Sequence, residues 1–431
     1  LKVDILPKKL VVIESPGKIK TFKKILGSDY DIISSFGHIR DLPPKKIGVD
    51  IKNNFTPTYE NILDKKEVIK TIKDHAKKSE IVFIMTDDDR EGSRIAKSVA
   101  EIIPSGIPIK RAKANSITKN AILAAIANAN DMSVDDNLLE AQEARRIVDR
   151  ICGYKTSFLT KQSTGGKSAG RVQSIALRLL AEREKEIKNF VPEEYWEITA
   201  SLLSPKDEQF QAKLSNKTKI PNENKAKQIY DEIKKRIPIV KSITTKLVSM
   251  KPYPPFVTQS LTSSAKTNFG WQNSTTMKVA QDLYESGKIT YLRTDSYSLD
   301  EGSIIAIRDY VNTYFGSEYV PGKPNFYKNK KSAQAAHTAI HPTDIFVPSV
   351  QSGNNQKLYE LIWKRTAASQ SIPSEEKKVR VIIDIAGYDF IANGKLIIFD
   401  GWKKIYDYIK SEDILLPDLK KGDECKWDHS K

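Results

Sequence analysis

The sequence predicts a multidomain chain in which an α/β domain is joined to helical and β-rich parts. Three observations carry that expectation. Two wholly apolar runs, residues 10–13 (LVVI) and 81–85 (IVFIM), each end in a polar loop and lead into a helix-patterned stretch, as strands of a parallel sheet covered on both faces do. From about residue 134 the pattern turns helical, and beyond residue 190 several segments alternate with period two. The length of 431 residues also exceeds one ordinary core, at roughly 100–200 residues per domain.

Composition narrows the function classes. Seventy Lys and Arg against 54 Asp and Glu give a net charge of +16, enough to attract a polyanion, although charge alone does not separate nucleic acid from an anionic membrane surface. No apolar run approaches the ~18 residues of a membrane span. Cys152 and Cys425 stand far apart without a CxxC pair, which argues against a disulfide framework or a zinc ribbon and for a reducing compartment. Residue 1 is Leu and no signal segment opens the chain, so the termini are not expected to be natural ones.

In chain order, "KKLVVIESPGKIKTFKKIL" reads as a strand, a sharp Ser-Pro-Gly loop and a helix, with Glu14 at the strand's carboxyl end and Lys18 opening the helix. "SEIVFIMTDDDREGSRIAKSVAEII" repeats the scheme, with Ile95, Val99 and Ile103 on one helix face. Reactive groups of such a sheet gather outside the strand carboxyl ends, so Glu14 and the acidic loop are expected to meet. Asp87, Asp89 and Glu91 follow a buried strand and suit Mg²⁺, which takes few carboxylates, several waters and a phosphate. The plainer alternative is a solvated acidic turn capping the next helix. A nucleotide P-loop is excluded, because the pattern GxxxxGK[ST] meets Val12 and Ile19 at two required positions. Lys18 is then either a phosphate contact at a helix N-terminus or a surface lysine.

"EARRIVDRICGY" sets Arg145 and Asp149 one helical turn apart, with Arg146 and Arg150 on the neighbouring stripe. In "STGGKSAGRVQS" glycines, a helix N-terminus, Lys167 and Arg171 together suit a nucleic-acid backbone. The segments around "YWEITASL", "QFQAKLS", "IVKSITTKLVSM" and "KVRVIIDIAGYDFIANG" alternate as strands. "KPYPPFV" marks a stiff boundary, after which the chain reads helical from Thr258 to Gly287. "SGKITYLRTDS" follows. Taken as a strand over 289–294, it points Tyr291 and Arg293 to one side, about 7 Å apart; alone, such a pair is more often a half-solvated strand end. His337 and His341 stand at i and i+4 without an HExxH glutamate, so zinc is weakly supported and a phosphate or base contact serves as well.

Taken together and in order, "LVVIESPGKIKT", "SSFGHIRDLP", "TDDDREG", "ARRIVDRICGY", "SAGRVQSIALRLLAERE", "VPEEYW", "PYPPFVTQSL", "ITYLRTDS" and "AQAAHTAIHPT" resemble the type IA DNA topoisomerases of bacterial type. The resemblance spans nearly the whole chain. It implies a Toprim (Rossmann-like) domain in 1–36 and 66–134, a helical DNA-binding gate domain in 37–65 and 135–189, a β-rich arch in 190–250 and 378–431, and a helical domain with the tyrosine in 251–377, enclosing a hole for DNA. It assigns attack on a DNA phosphodiester to Tyr291, charge stabilisation to Arg293 and Lys18, leaving-group protonation to Glu14, and Mg²⁺ to Asp87, Asp89 and Glu91 with Glu14. His38, Arg145, Arg146, Asp149, Ser168, Arg171, Gln173 and His337 fall on positions that bind or position the single strand, with His337 close to the chemistry. A tyrosine of pKa near 10 is a poor nucleophile at neutral pH, and the adjacent Arg293 is expected to favour its phenolate. The resemblance further implies relaxation of negatively supercoiled DNA through a 5′-phosphotyrosine link without ATP or zinc. A monomer is expected, cytoplasmic and chromosome-associated, or nuclear in a eukaryote.

The departures are Ser93 and Ser116, where the family usually has glutamates, and the lack of a Gly-Arg-Pro-Ser-Thr-Tyr segment, from which an incomplete gate and a truncated form are expected. A Toprim primase or nuclease would share the acids without needing Tyr291, and a non-catalytic DNA-binding relative is the other alternative.

Overall fold

The structure is a computed structural model and describes residues 8–132, 136–215, 217, 219–329, 337–350, 353–409 and 412–428. The AQAA part of the last motif, residues 333–336, and the expected domain junction at 134–135 lie outside them. The chain forms two compact units. One comprises Leu1–Lys188, Phe256–Leu299 and Lys328–Ile362; the other comprises Asn189–Pro255, Asp300–Tyr327 and Trp363–Lys431.

The first unit is built on β1 (Lys8–Ile13), α1 (Ile19–Leu26), β2 (Tyr30–Ser34), α2 (Lys66–Ala76), β3 (Ser79–Met85), α3 (Arg90–Ala100), β4 (Ile109–Arg111), α4 (Lys119–Ala127) and β5 (Asn130–Asp131). The sheet runs β2-β1-β3-β4-β5, with β5 antiparallel to four parallel strands. The apolar runs read from the sequence are its centre: Leu10, Val12, Val82 and Ile84 are fully buried among Ile69, Ile72, Ile95 and Val99, each such side chain contributing ~1.5–3 kcal/mol. Ile13 pairs with Met85 across β1 and β3, so the residues that follow, Glu14 on one strand and Thr86 and Asp87 on the other, emerge side by side at one sheet end.

Helices Asp136–Thr164 and Arg171–Asn189 follow, joined by a loop that turns at Gly165 with φ +69°. The single helix expected from Thr258 to Gly287 is two, Thr258–Phe269 and Asn273–Glu285, because Gly270 adopts φ +70° and closes the first by donating to the Lys266 carbonyl; a left-handed glycine is a natural helix stop.

The second unit holds a six-stranded antiparallel sheet ordered Ile239–Met250, Ser374–Ile385, Tyr388–Phe399, Gln209–Leu214, Thr199–Leu203 and Lys426–Trp427. Burial alternates residue by residue along Gln209–Leu214, the period-two signature of a strand with one face on a core. Helix Glu223–Ile233, capped by Asn222, lays Ala226, Ile229 and Ile233 into that core. The long hairpin turns at Ala386 and Gly387, both at positive φ, which a tight two-residue turn requires. Among the described residues no helix is long and apolar enough to cross a membrane.

Candidate active site

The site lies within the first unit, where the carboxyl ends of β1 and β3 meet the segment carrying Tyr291. That segment corrects one expectation: residues 290–296 form no strand and bend at Thr290, Leu292 and Arg293, Ile289 alone making an isolated bridge to Pro342. Its amides are taken singly, Thr290 by the His341 carbonyl, Tyr291 by the Asn115 carbonyl and Thr294 by the Thr258 hydroxyl, so no ladder can propagate. Gly287 allows the approach, since its φ is +70° and a Cβ there would stand 2.5 Å from the Ile117 carbonyl oxygen.

Tyr291 and Arg293 still address the same loop. The Tyr291 hydroxyl donates to Asp89 Oδ2 at 2.5 Å, and an Arg293 guanidinium nitrogen lies 3.3 Å from Glu91 Oε2. Tyr291 is buried, its ring edge-on to Tyr284 at 5.3 Å and to His337 at 5.8 Å. The His337 ring nitrogen Nε2 meets the Asp88 carbonyl oxygen at 2.7 Å, so this histidine holds the acidic loop. His341 turns instead to the Pro342 carbonyl. Among the described residues no three His, Cys, Asp or Glu side chains gather as a metal cluster.

The electrostatics correct a second expectation. Burial pushes the Tyr291 phenol far above its ordinary range, Asp89 and Asp87 push it further, and Arg293 opposes them with a smaller effect. The arginine does not make a phenolate here: a carboxylate in direct contact outweighs a half-exposed guanidinium. Glu14 is pushed up to about 7, first by burial and then by Asp87, against the pull of Lys18, and its Oε2 is buried without a hydrogen-bond partner. A carboxylic acid in that state can donate a proton near neutrality.

Lys18 is neither a surface lysine nor open to the groove. It is buried, ion-paired to Asp87, and its ammonium sits 4.7 Å from the Tyr284 ring centre; the Tyr284 hydroxyl also donates to Asp87. Asp89 caps α3 by accepting from the Gly92 amide at 2.7 Å, so the capping alternative holds for this residue while its other oxygen serves Tyr291. Glu91 points outward to Arg293, which leaves the expected trio of metal ligands divided. Glu14, Asp87 and Asp89, by contrast, line one groove of about 590 Å³ with Tyr291, Arg293 and Lys278. Hard oxygen donors from two carboxylates beside a groove fit Mg²⁺ with a phosphate as a further ligand.

Residues that the motifs do not reveal hold the loop in place. Arg111 is buried and donates to the carbonyls of Ile84, Thr86, Asp87 and Ala112 at 3.0–3.3 Å. Glu285 accepts from the Ser15 hydroxyl at 2.6 Å, and a Cβ on Gly17 would stand 1.9 Å from its Oε2. A Cβ on Gly92 would stand 2.0 Å from the Asp87 carbonyl oxygen, which explains the glycine of DREG without any ligand.

The residues expected to hold DNA divide into two groups. His38, its pKa lowered by burial against the pull of Glu91 and Asp41, lies near Arg146, which forks onto Asp41 at 2.6–3.0 Å. On the helical hairpin Arg171 grips Asp149 at 2.8 and 3.0 Å, with Arg145 at 3.9 Å, and Ser168 and Gln173 are exposed beside them.

A DNA topoisomerase family model matches residues 133–431 and a Toprim domain model matches 9–117. The chain belongs to the DNA topoisomerase family. It is similar to DNA topoisomerase 1 of Rickettsia bellii, 41% identical over 97% of this chain and 56% of that protein, and to DNA topoisomerase 1 of Escherichia coli, 37% identical over 97% and 51%. A full-length topoisomerase I structure from Thermotoga maritima matches with a TM-score of 0.84 at 32% identity, covering 97% of this chain and 70% of that one. The type IA topoisomerase fold with its Toprim domain is thus the fold of this chain, which spans about half the length of the curated relatives it matches.

Proposed function

We propose that this chain carries the strand-cleaving and rejoining site of a type IA DNA topoisomerase, acting on a single-stranded segment of negatively supercoiled DNA. The observation that carries the reading is the Tyr291 phenol, buried against Asp89 in one groove with Glu14 and Arg293. A primase or nuclease built on the same acids has no use for a tyrosine held there.

In the proposed step the Tyr291 oxygen attacks a phosphorus of the strand, forming the 5′-phosphotyrosine bond as the bond to the 3′-oxygen breaks. The phenol passes its proton along its hydrogen bond to Asp89 as the new bond forms, and neutral Glu14 protonates the departing 3′-oxygen. Arg293 faces the groove and stabilises the added charge on the phosphate. Lys18 acts from beneath, neutralising Asp87 so that a phosphate meets less repulsion. Mg²⁺, proposed to rest on Asp87 and Asp89, supplies charge compensation for phosphate oxygens when bound. His38, Arg145, Arg146, Asp149, Ser168, Arg171, Gln173 and His337 are proposed to bind or position the strand. The linkage energy is retained in the phosphotyrosine ester, so rejoining is proposed to need no ATP.

The test is Tyr291→Phe, which removes only the hydroxyl. Incubation with end-labelled single-stranded DNA and denaturing electrophoresis should show a covalent adduct for the parent chain and none for the variant, while both retain the strand in a binding assay. An adduct of undiminished yield from the variant excludes Tyr291 as the nucleophile.

A further inference from the structure

The second unit carries a cluster of cations that the proposed chemistry does not use. In the long antiparallel ribbon, Lys246 pairs with Lys378 and Lys378 with Lys395 across three strands, so three lysines form one row on one face. The next row is Thr244, Arg380 and Asn393, and these residues, with Val248 and Ile382, line a shallow groove of about 640 Å³. Like charges directly opposite one another in a sheet repel, and Glu376, the acid beside this row, is shared with Lys403, so a phosphate would relieve the repulsion that remains. The acids of this face are already engaged. Glu376, one row along, is buried and bonded to Lys403 at 2.6 Å, with Lys378 at 3.8 Å. Asp389, at the hairpin end, holds Lys241 at 2.7 Å, and Asp413 accepts from the Ile397 amide. Among the described residues neither Lys246 nor Arg380 forms an ion pair.

We propose that this ribbon face is a second docking surface for a DNA strand, held by its phosphates without base readout. Arg380 stands one row along the strand from the three lysines, about 7 Å away and close to the spacing of phosphates in an extended single strand, and the groove offers no large aromatic for stacking a base. The choice of DNA over other polyanions rests on the function proposed above; the anion site itself rests on the charges alone.

The experiment measures binding of a long and a short fluorescent single strand to the whole chain across a salt titration. One variant combines Lys246→Gln, Lys378→Gln, Arg380→Gln and Lys395→Gln; a second carries only Lys246→Gln and Arg380→Gln, which touch no acid and leave the Glu376 pair intact. Each lost phosphate contact lowers the salt slope by ~0.7 on single strands, so the first variant should lose about 2–3 in slope on the long strand and the second about 1. Adduct yield on the short strand should not change. Equal slopes for parent and both variants overturn the proposal, as does a parallel loss of short-strand adduct in the second variant, which would tie the ribbon to the catalytic groove. Loss of binding to phosphatidylserine vesicles with DNA binding untouched overturns it in favour of a membrane. Should the parent form no adduct at all, the proposed function fails while the slope comparison still decides the ribbon.

Discussion

Gly92→Ala is the sharpest structural test of how the acidic loop is held, because two effects of known sign compete at that residue. Alanine is the better helix former by ~1 kcal/mol, so a helical glycine with free space around it should gain stability from the change. Gly153 is such a glycine: it lies inside Asp136–Thr164, and a Cβ there meets nothing closer than the Ala169 carbonyl at 4.0 Å. At Gly92 the same Cβ would stand 2.0 Å from the Asp87 carbonyl oxygen and 2.9 Å from its carbon, and backbone cannot swing aside as a side chain can. Overpacking of that kind costs ~1–3 kcal/mol, enough to cancel or exceed the gain, and the loop must move by about an ångström to relieve it. Gly153→Ala is therefore expected to raise stability by up to ~1 kcal/mol, and Gly92→Ala to lower it while displacing Asp87 and Asp89. Hydrogen exchange of the α3 amides reads the local cost in a chain of two units, and adduct yield reads the displacement. Gly92→Ala with α3 protection equal to that of Gly153→Ala and a full adduct yield would refute the reasoning.

Other expectations follow from the same site. Replacing Asp87 and Asp89 with Asn should raise the Mg²⁺ concentration needed for rejoining while single-strand binding persists, and a Mg²⁺ titration of rejoining that does not shift would leave the acids as a capping turn. Arg111→Met leaves the Thr86, Asp87 and Ala112 carbonyls without their donor, while the Ile84 carbonyl keeps the Ala112 amide; at ~1–3 kcal/mol for each of the three abandoned groups the loss should reach at least ~3 kcal/mol and appear as a lower melting temperature. In metal-free buffer Glu14 should make stability fall with rising pH. Its folded pKa of about 7 lies above the ordinary 4.5, so the unfolded chain gives up the proton first, and the contribution is whole below 4.5 and lost as pH rises through about 7. That rise is worth at most ~3 kcal/mol, and denaturation of Glu14→Gln across the same range should show a flatter profile.

Much of the first unit was legible because its signals are local. Residues 10–13 and 81–85 are apolar without interruption, and each is stopped by a loop whose residues cannot continue a strand, so two βα units and the meeting of Glu14 with the acidic loop follow from the strand rule alone. The period-two segments of the second unit were readable for the same reason. What escaped depends on partners distant in sequence. Arg111 sits in an unremarkable basic stretch, yet its donors reach carbonyls up to 27 residues away. Glu285 supports Ser15 across 270 residues, and nothing in "LYESG" announces it. The tyrosine segment looked like a strand because its residues alternate, but alternation says nothing about whether a neighbouring strand exists to pair with it. Its amides find single acceptors instead.

The sign of the charge effect on Tyr291 was the hardest feature to read, and the reason bears on how the site can work. Sequence proximity puts Arg293 two residues from the phenol, whereas Asp89 lies 202 residues away and in contact. Contact wins, so the phenol is held neutral and hydrogen-bonded while no phosphate is near. Glu14, pushed up to about 7 first by burial and then by Asp87, is held partly neutral. A bound phosphate adds negative charge beside Glu14 and so favours its acid form further, while offering Arg293 a stronger partner than the exposed Glu91 it now meets. On the proposed function, the proton for the leaving 3′-oxygen is thus more firmly supplied when the strand is present than when it is absent. The same burial and crowding that make the groove a poor place for a free phenolate make it a good place for a carboxylic acid, and on the proposed function both effects keep Tyr291 inert until a strand is bound.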